Sequence, residues 1–274
     1  MLCRNDFGLI RDLIYQKSGI HFEEKKLYFV ENRLKNRMEA LNVDSAKEYY
    51  RFIKYQPSSE EMNLFLDLLT VNETYFFRNY PQLKSFAEEI LPLIQKKKEM
   101  SLVKVLKIWS AACSTGEEPY TLAIILREMM PDFKAWNVQI LATDISQKAL
   151  GFARRGVYGK RALKDVPLSY REKYFTSQDD RYTISEEIRR VVRFGYLNLI
   201  DEAKMRTVTG VDVLFCRNVL IYFDEKSRKH VVNSFYDSLD NGGYIFLGHS
   251  ESMSRISAAF KLVRLKNSFV YMKE

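Results

Sequence analysis

The sequence predicts an α/β protein, in which helices cover both faces of a mainly parallel sheet and an all-helical unit comes first. In the later part of the chain, short and nearly continuous apolar runs alternate with helical patterns. This alternation is typical of buried parallel strands that are joined by helices. The first 70 residues show helical periodicity alone. Apolar residues make up 46% of the 274-residue chain, enough for a sizeable core.

The helical elements begin with an amphipathic segment that Asn5 or Asp6 caps and Gly19 ends. The fourth helix opens at a stretch in which Ser58 and Glu61 have the spacing of a capping box. The predicted helices of this part of the chain are 5–19, 23–40, 44–55, one that begins at 57–61, and 81–98.

The strands are predicted from apolar runs that turn residues interrupt. Five runs are expected to form parallel strands: 105–110, 138–143, 191–196, 211–216 and 244–248. Two more runs, 260–265 and 268–272, are joined by Lys266 and Asn267 and predict an antiparallel hairpin at the edge of the sheet. The stretch 156–194 breaks the alternation and predicts a small inserted subdomain of short antiparallel strands and helix.

The net charge of +8 is unevenly distributed along the chain. Residues 1–80 hold 12 basic and 12 acidic side chains, whereas residues 151–200 hold 11 basic and 6 acidic ones. The excess in the second region predicts either a solvated surface of mixed charge or a docking face for an acidic protein. No zinc-finger or RNA-recognition signature is present, so a nucleic-acid partner is not expected.

The compartment is predicted from what the sequence lacks. No apolar run approaches the roughly 20 residues that span a bilayer, and the N-terminus carries no secretory pattern. The three cysteines are Cys3, Cys113 and Cys216, and their spacing does not suit a metal. We therefore expect a cytoplasmic monomer with reduced thiols, without a metal ion and without direct insertion into the membrane.

Polar residues after the first predicted strand suggest a ligand site, because ligands of open α/β sheets bind beyond the carboxyl ends of the strands. The loop 110–120 is rich in small residues, and Gly116 permits a close approach of the backbone. No lysine follows this glycine, so the loop does not suit a triphosphate. Glu117 and Glu118 suit a cationic or hydroxyl-bearing ligand, although they could simply favour the start of a helix.

Further polar residues follow the other strands and the helical unit. Asp144 could accept hydrogen bonds from ribose hydroxyls, cap the next helix, or do both. Asn198 suits the edge of an adenine, and Arg217 and Asn218 are expected to face the same crevice. Arg78 follows an aromatic cluster and could grip a carboxylate, or could be an ordinary snorkelling arginine.

Five segments in this order resemble the CheR family of chemotaxis-receptor methyltransferases. They are 71–78 (VNETYFFR), 109–120 (WSAACSTGEEPY), 142–145 (ATDI), 215–223 (FCRNVLIYF) and 248–251 (GHSE). The resemblance implies an N-terminal helical domain over 1–78 and a Rossmann-like class I methyltransferase domain over 79–274. It also implies a β-subdomain inserted at about 156–194.

The resemblance implies S-adenosyl-L-methionine as cofactor, with S-adenosyl-L-homocysteine as product. The implied cofactor contacts are Asn72, Thr74, Arg78, Glu118, Asp144, Asn198, Leu199, Arg217 and Asn218. Arg78 and Tyr222 look like the residues nearest the transferred methyl group. The implied partner is the cytoplasmic helical domain of chemotaxis receptors, and in some members a receptor C-terminal peptide also binds the β-subdomain.

The chemistry that the resemblance implies is direct methyl transfer to a glutamate carboxylate, which is already ionised near neutral pH and needs no general base. None of the three histidines belongs to the strand-end set. Two alternatives are a small-molecule O-methyltransferase and a non-catalytic adaptor that senses S-adenosylmethionine. A basic stretch that includes Arg33 and Arg37 is predicted to bind the helical bundle of the receptor.

Overall fold

The structure, a computed structural model, describes residues 4–55, 58, 60–253 and 256–274. Cys3 and part of the predicted helix opening at 57–61 lie outside the described residues. The first four α-helices are α1 Arg4–Ser18, α2 Leu27–Leu41, α3 Ala46–Tyr55 and α4 Glu60–Leu69. Gly19 ends α1 with φ +72°, as predicted. Asn5 and Asp6, predicted to precede the helix as its cap, lie within α1 as described.

The four helices enclose one apolar cluster that also contains a buried ion pair. Nε and Nη2 of Arg37 donate to the two carboxylate oxygens of Glu61 at 2.8 and 2.6 Å, and the Tyr49 hydroxyl donates to Glu61 at 2.7 Å. The prediction that Arg37 faces a receptor is therefore wrong, because its side chain is only 18% exposed and holds α2 against α4. Glu61, assigned to a capping box, faces these two partners.

The segment predicted as one helix over 81–98 consists of α5 Tyr80–Ser85, a π-helical turn Phe86–Ile90 and α6 Leu91–Lys98. The amide of Leu91 donates to the carbonyl of Phe86, five residues earlier. Pro92 has no amide hydrogen for the carbonyl of Glu88, which accounts for the wide turn at this point.

The main sheet contains seven strands in the order β6-β2-β1-β7-β8-β10-β9. Its strands are β1 Val105–Ala111, β2 Asn137–Asp144, β6 Val192–Tyr196, β7 Val211–Cys216, β8 Leu239–Leu247, β9 Phe260–Arg264 and β10 Phe269–Lys273. The first five in the spatial order are parallel, and the final hairpin is antiparallel, as predicted. This is a Rossmann-like arrangement, and its direction of winding reverses between β1 and β7.

The remaining helices pack on the two faces of the sheet or belong to the insert. They are α7 Glu117–Met129, α8 Gln147–Arg155, α9 Leu168–Tyr174, α10 Glu186–Arg189, α11 Glu202–Met205 and α12 Glu225–Ser238. The predicted insert contains β3 Val157–Gly159, β4 Phe175–Gln178 and β5 Arg181–Ile184, which form a separate antiparallel sheet in the order β3-β5-β4.

No helix within the described ranges is both long enough and apolar enough to cross a membrane.

Candidate functional site

A cavity of about 240 Å³ opens at the carboxyl ends of the strands, where the winding of the sheet reverses. Every predicted site residue lines it: Asn72, Thr74, Arg78, Glu118, Asp144, Asn198, Leu199, Arg217, Asn218 and Tyr222. Sequence reasoning missed a further wall, which comes from the end of α1 and includes Ser18 and Ile20. The structure thus brings the strand-end residues together as the topology requires.

The loop after β1 is fixed in a tight conformation beside the end of β2. Ala112, Ser114 and Gly116 have φ values of +60°, +50° and +94°, so the chain doubles back within five residues. The Ser114 amide donates to Oδ2 of Asp144 at 2.7 Å, and the Ser146 amide donates to Oδ1 at 2.8 Å. The Ser146 side chain, rather than that of Asp144, caps α8.

The carboxylate of Asp144 is buried, and only 5% of the residue is exposed. Burial raises the pKa of Asp144, although the two amide donors stabilise its ionised form. Each oxygen accepts one amide bond and keeps a lone pair, so the carboxylate can still accept from hydroxyl groups in the cavity.

Glu117 and Glu118 have separate surroundings although they are adjacent in sequence. Glu118 lines the cavity, accepts from Ser110 Oγ at 2.7 Å, and pairs with Arg217 Nε at 2.6 Å. The side chains of Arg217 and Glu118 are only 5% and 12% exposed. Glu117 turns away from the cavity lining and accepts from Thr115 Oγ1 at 2.6 Å. Burial raises the pKa of Glu117, while the Thr115 hydroxyl opposes the rise.

Arg78 supplies positive charge at the cavity. Its Nη1 donates to the carbonyl of Glu73 at 2.8 Å, and its guanidinium carbon lies 5.8 Å from the centroid of the Tyr75 ring. Arg217 Nη1 in turn donates to the Arg78 carbonyl at 2.8 Å. Within the part of the chain that the structure describes, Arg78 forms no ion pair, so its guanidinium can receive a carboxylate ligand.

Tyr222 lines the cavity together with Arg78. Burial raises the pKa of Tyr222, and the positive charge of Arg78 partly opposes this rise. The phenol therefore stays neutral near pH 7 and can act as a hydrogen-bond donor.

The N-terminal unit closes the cavity through direct bonds to the sheet domain. The His21 amide donates to the Tyr222 carbonyl at 2.9 Å, and Ile20 forms an antiparallel bridge with Phe223. Asn198 Nδ2 donates to the Lys17 carbonyl at 2.6 Å. The side chain of Asn198 thus lines the cavity and also bonds to the N-terminal unit. The second contact could not be predicted from its position after a strand.

Among the residues that the structure describes, the cavity lining includes one cysteine, whose thiol is protonated, and no histidine. Burial raises the pKa of Cys113 far above its ordinary value, and the charges of Asp144 and Glu118 raise it further, so the thiol remains protonated. None of the three histidines is among the lining residues. What the lining offers instead are charged and amide side chains that can bind and orient a ligand.

The side chains fit an adenosine-type cofactor with a charged tail. A buried carboxylate at the end of β2 suits ribose hydroxyls, and Leu197 and Leu199 supply an apolar wall for a base. Arg78, Arg217 and Glu118 also line the cavity and offer partners for charged groups. Fold and site together define a Rossmann-like protein that binds a nucleoside-containing cofactor at its switch point.

Comparison with known families identifies the cofactor. The model described as "CheR methyltransferase, SAM binding domain" matches residues 72–269, and "CheR methyltransferase, all-alpha domain" matches residues 5–70. The chain therefore belongs to the CheR methyltransferase family, whose cofactor is S-adenosyl-L-methionine.

Curated relatives match almost the full length of the chain. Chemotaxis protein methyltransferase 2 of Vibrio cholerae is 44% identical, over 98% of this chain and 92% of the relative. The chemotaxis protein methyltransferase of Borreliella burgdorferi is 35% identical, over 92% and 89% of the two chains. That of Escherichia coli is 34% identical, over 93% and 87%.

Proposed function

We propose that this protein transfers the methyl group of S-adenosyl-L-methionine to glutamate side chains of chemotaxis receptors, which become methyl esters. The observation that carries the proposal is that Arg78 and Tyr222 both line a cavity whose described lining includes no histidine. A carboxylate acceptor is ionised near pH 7 and requires orientation rather than deprotonation. The names of the curated relatives support a chemotaxis receptor as the substrate.

In this mechanism the bound cofactor supplies a methyl group on a positively charged sulfur, which a carboxylate can accept directly. Asp144 accepts from ribose hydroxyls, and the Arg217–Glu118 pair fixes the wall behind the tail of the cofactor. Arg78 holds either the glutamate nucleophile or the carboxylate of the cofactor. Tyr222 borders the path between the two reactants and, together with the N-terminal wall, excludes water.

Basic side chains near the cavity favour a protein substrate over a small molecule. The loop with Arg78 is tied to the insert by a bond of 3.0 Å from the Phe76 amide to the Ala162 carbonyl. Lys164 Nζ lies 3.7 Å from the centroid of the Tyr75 ring, and the exposed Arg161 forms an ion pair of 3.1 Å with Glu73. This basic rim, defined as Arg161 and Lys164, suits an acidic receptor segment.

The proposal extends to location and domain division. A cytoplasmic location follows from a substrate that is the cytoplasmic helical domain of a receptor. We place the domain boundary at residue 78, with the insert at about 156–194. The buried apolar residues from Phe7 to Leu69 form a cluster of their own, whereas those from Phe76 onward pack with the sheet. A receptor peptide at the β-subdomain remains a hypothesis for this chain.

The first test combines methyl transfer with the variant Arg78→Ala. The protein is incubated with methyl-labelled cofactor and a receptor cytoplasmic fragment, and base-labile label on glutamates is measured. We expect the wild type to form such esters, and Arg78→Ala to lose about 100-fold in kcat if Arg78 holds the nucleophile. If Arg78 holds the cofactor instead, we expect the main effect of Arg78→Ala to be a rise in the cofactor dissociation constant, measured by calorimetry.

Arg155→Ala is the matched control, because the Arg155 guanidinium also lies over a ring, 4.3 Å from the Phe152 centroid, but outside the cavity lining. This variant should keep wild-type turnover. Cofactor binding without transfer to any glutamate would instead support the adaptor alternative. Unchanged turnover and affinity in Arg78→Ala would refute the role of Arg78.

A further inference from the structure

The carboxylate of Glu251, beyond the end of β8, collects four backbone amides. Oε2 accepts from Gly248 at 2.6 Å and from Asn218 at 2.8 Å. Oε1 accepts from Val219 at 2.9 Å and from Leu220 at 2.7 Å. Three of these amides belong to the consecutive residues 218–220, which follow β7. One side chain therefore fixes the backbone at the start of that segment.

Gly248 is shaped to admit this carboxylate. A Cβ atom at position 248 would lie 2.6 Å from Oε2 of Glu251 and 2.8 Å from the Asn218 amide nitrogen. Such distances are shorter than van der Waals contact, so any larger residue would displace the carboxylate or the amide. The position of the Glu251 carboxylate at the end of β8 thus depends on glycine at position 248.

A second side chain bonds to backbone carbonyls of the same segment. Arg228, on α12, donates from Nε to the Leu220 carbonyl at 3.0 Å and from Nη2 to the Phe223 carbonyl at 2.8 Å. The amides of 218–220 therefore bond to an anion, and the carbonyls of 220 and 223 bond to a cation. Asn218 itself has φ +63°, a conformation that needs such support.

The segment 217–223, here called the clamped loop, carries Arg217, Asn218 and Tyr222 into the cavity. Neither Glu251 nor Arg228 lines the cavity. We infer that Glu251 is a positioning residue for methyl transfer, which acts by setting the backbone from which Asn218 meets the cofactor and Tyr222 borders the path of the methyl group. This inference rests on the proposed function.

A carboxylate is required at this position because all four of its partners are donors. In Glu251→Gln, one oxygen becomes an NH₂ group that faces backbone N–H groups and can accept no bond from them. The clamped loop must then shift to find other partners for these amides. Glu251→Asp keeps the acceptors but shortens their reach by one methylene, so it should restore part of the native geometry.

The test measures the cofactor dissociation constant by calorimetry and steady-state turnover on the full chain. In Glu251→Gln we expect the dissociation constant to rise and kcat to fall by about 100-fold, with Glu251→Asp intermediate. A merely structural role would lower the melting temperature and the active fraction, yet leave the dissociation constant of the folded fraction unchanged.

Asp212→Asn is the matched control. Asp212 is also a buried carboxylate that accepts a backbone amide, from Lys107 at 2.9 Å, and it forms an ion pair with Lys98. It lies near the start of β7 and does not line the cavity. This variant should lose thermal stability and keep the wild-type dissociation constant and kcat per active site.

The inference is overturned if folded Glu251→Gln binds cofactor and turns over within twofold of the wild type. If Glu251→Gln does not fold, Glu251→Asp decides, and a dissociation constant and kcat equal to the wild type would overturn the inference. A wild type that binds cofactor but transfers no methyl group would refute the proposed function instead, while the comparison of dissociation constants would still report on Glu251.

Discussion

Two adjacent glutamates at the start of α7 show how strongly the surroundings determine the role of a residue. Glu118 meets a buried arginine and lines the cavity, whereas Glu117 is buried beside a hydroxyl and outside the lining. The sequence alone did not distinguish them. Because their partners differ, we expect the substitution of glutamine for glutamate to have different effects at the two positions.

Glu118→Gln should weaken cofactor binding and destabilise the fold. Breaking a buried ion pair from one side leaves Arg217 without its counter-charge, at a cost of about 3 kcal/mol. We expect the free energy of unfolding to fall by this order and the cofactor dissociation constant to rise about tenfold or more. Chemical denaturation and calorimetry measure the two quantities. An unchanged dissociation constant would remove Glu118 from the cofactor site.

Glu117→Gln should leave cofactor affinity within about twofold of the wild type and should flatten the dependence of stability on pH. The raised pKa of Glu117 means that the folded state retains its proton more strongly than the unfolded state does. Its contribution to stability is therefore greatest below the ordinary value of 4.5 and is lost as the pH rises through the raised pKa. The melting temperature of the variant relative to the wild type should increase with pH.

At the scale of elements, α1 and the turn after it form one wall of the cavity. Gly19 turns the chain so that Ser18 and Ile20 face the cavity. A Cβ atom at position 19 would lie 2.5 Å from Cγ2 of Ile200 and 3.1 Å from Cε1 of Phe223. Only glycine allows this close approach of the helical unit to the sheet domain.

Gly19→Ala should therefore weaken both the interface and cofactor binding. The left-handed conformation alone costs alanine about 1 kcal/mol, and the contact with Ile200 forces the end of α1 outward. We expect a lower melting temperature and a severalfold larger cofactor dissociation constant. Gly8→Ala is the control, because it lies in the same helix with nothing within 4 Å of the added atom. It should gain about 1 kcal/mol of stability and bind cofactor normally.

The strands and their polar ends could be predicted because buried parallel strands are continuous apolar runs whose carboxyl ends share one edge. Asp144 and Arg217 follow from that rule. The wall from Ser18 and Ile20 depends on how a distant helix docks, which periodicity does not encode. The amide cluster around Glu251 likewise requires two segments that meet only in space. Arg37 was predicted to face the receptor because its neighbours in sequence are basic, and its partner Glu61 lies on another helix.

At the scale of the whole molecule, the excess positive charge includes a rim beside the cavity mouth. Arg161 and Lys164 belong to the insert, and the bond from Phe76 to Ala162 links that insert to the loop with Arg78. The inserted subdomain thus places charge near the reaction path without contributing to the cavity lining.

The double variant Arg161→Glu/Lys164→Glu should raise KM for the receptor fragment about tenfold at low ionic strength, because it reverses charge that attracts an acidic segment. The effect should shrink with added salt, and the cofactor dissociation constant should stay constant. Lys134→Glu/Arg264→Glu carries the same charge change away from the cavity and should change KM much less. An equal rise in both double variants would show that net charge, not this rim, governs binding.

The arrangement around Glu251 also matters for protein engineering. The clamped loop cannot be exchanged alone, because its amides depend on the carboxylate and glycine of 248–251 and its carbonyls depend on Arg228. A graft that is intended to change the preferred methyl acceptor must therefore transfer the clamped loop, residues 248–251 and Arg228 together. Recombination break points between β7 and β8 that separate them should yield folded but poorly active chimaeras, which makes residues 217–251 a natural unit of exchange.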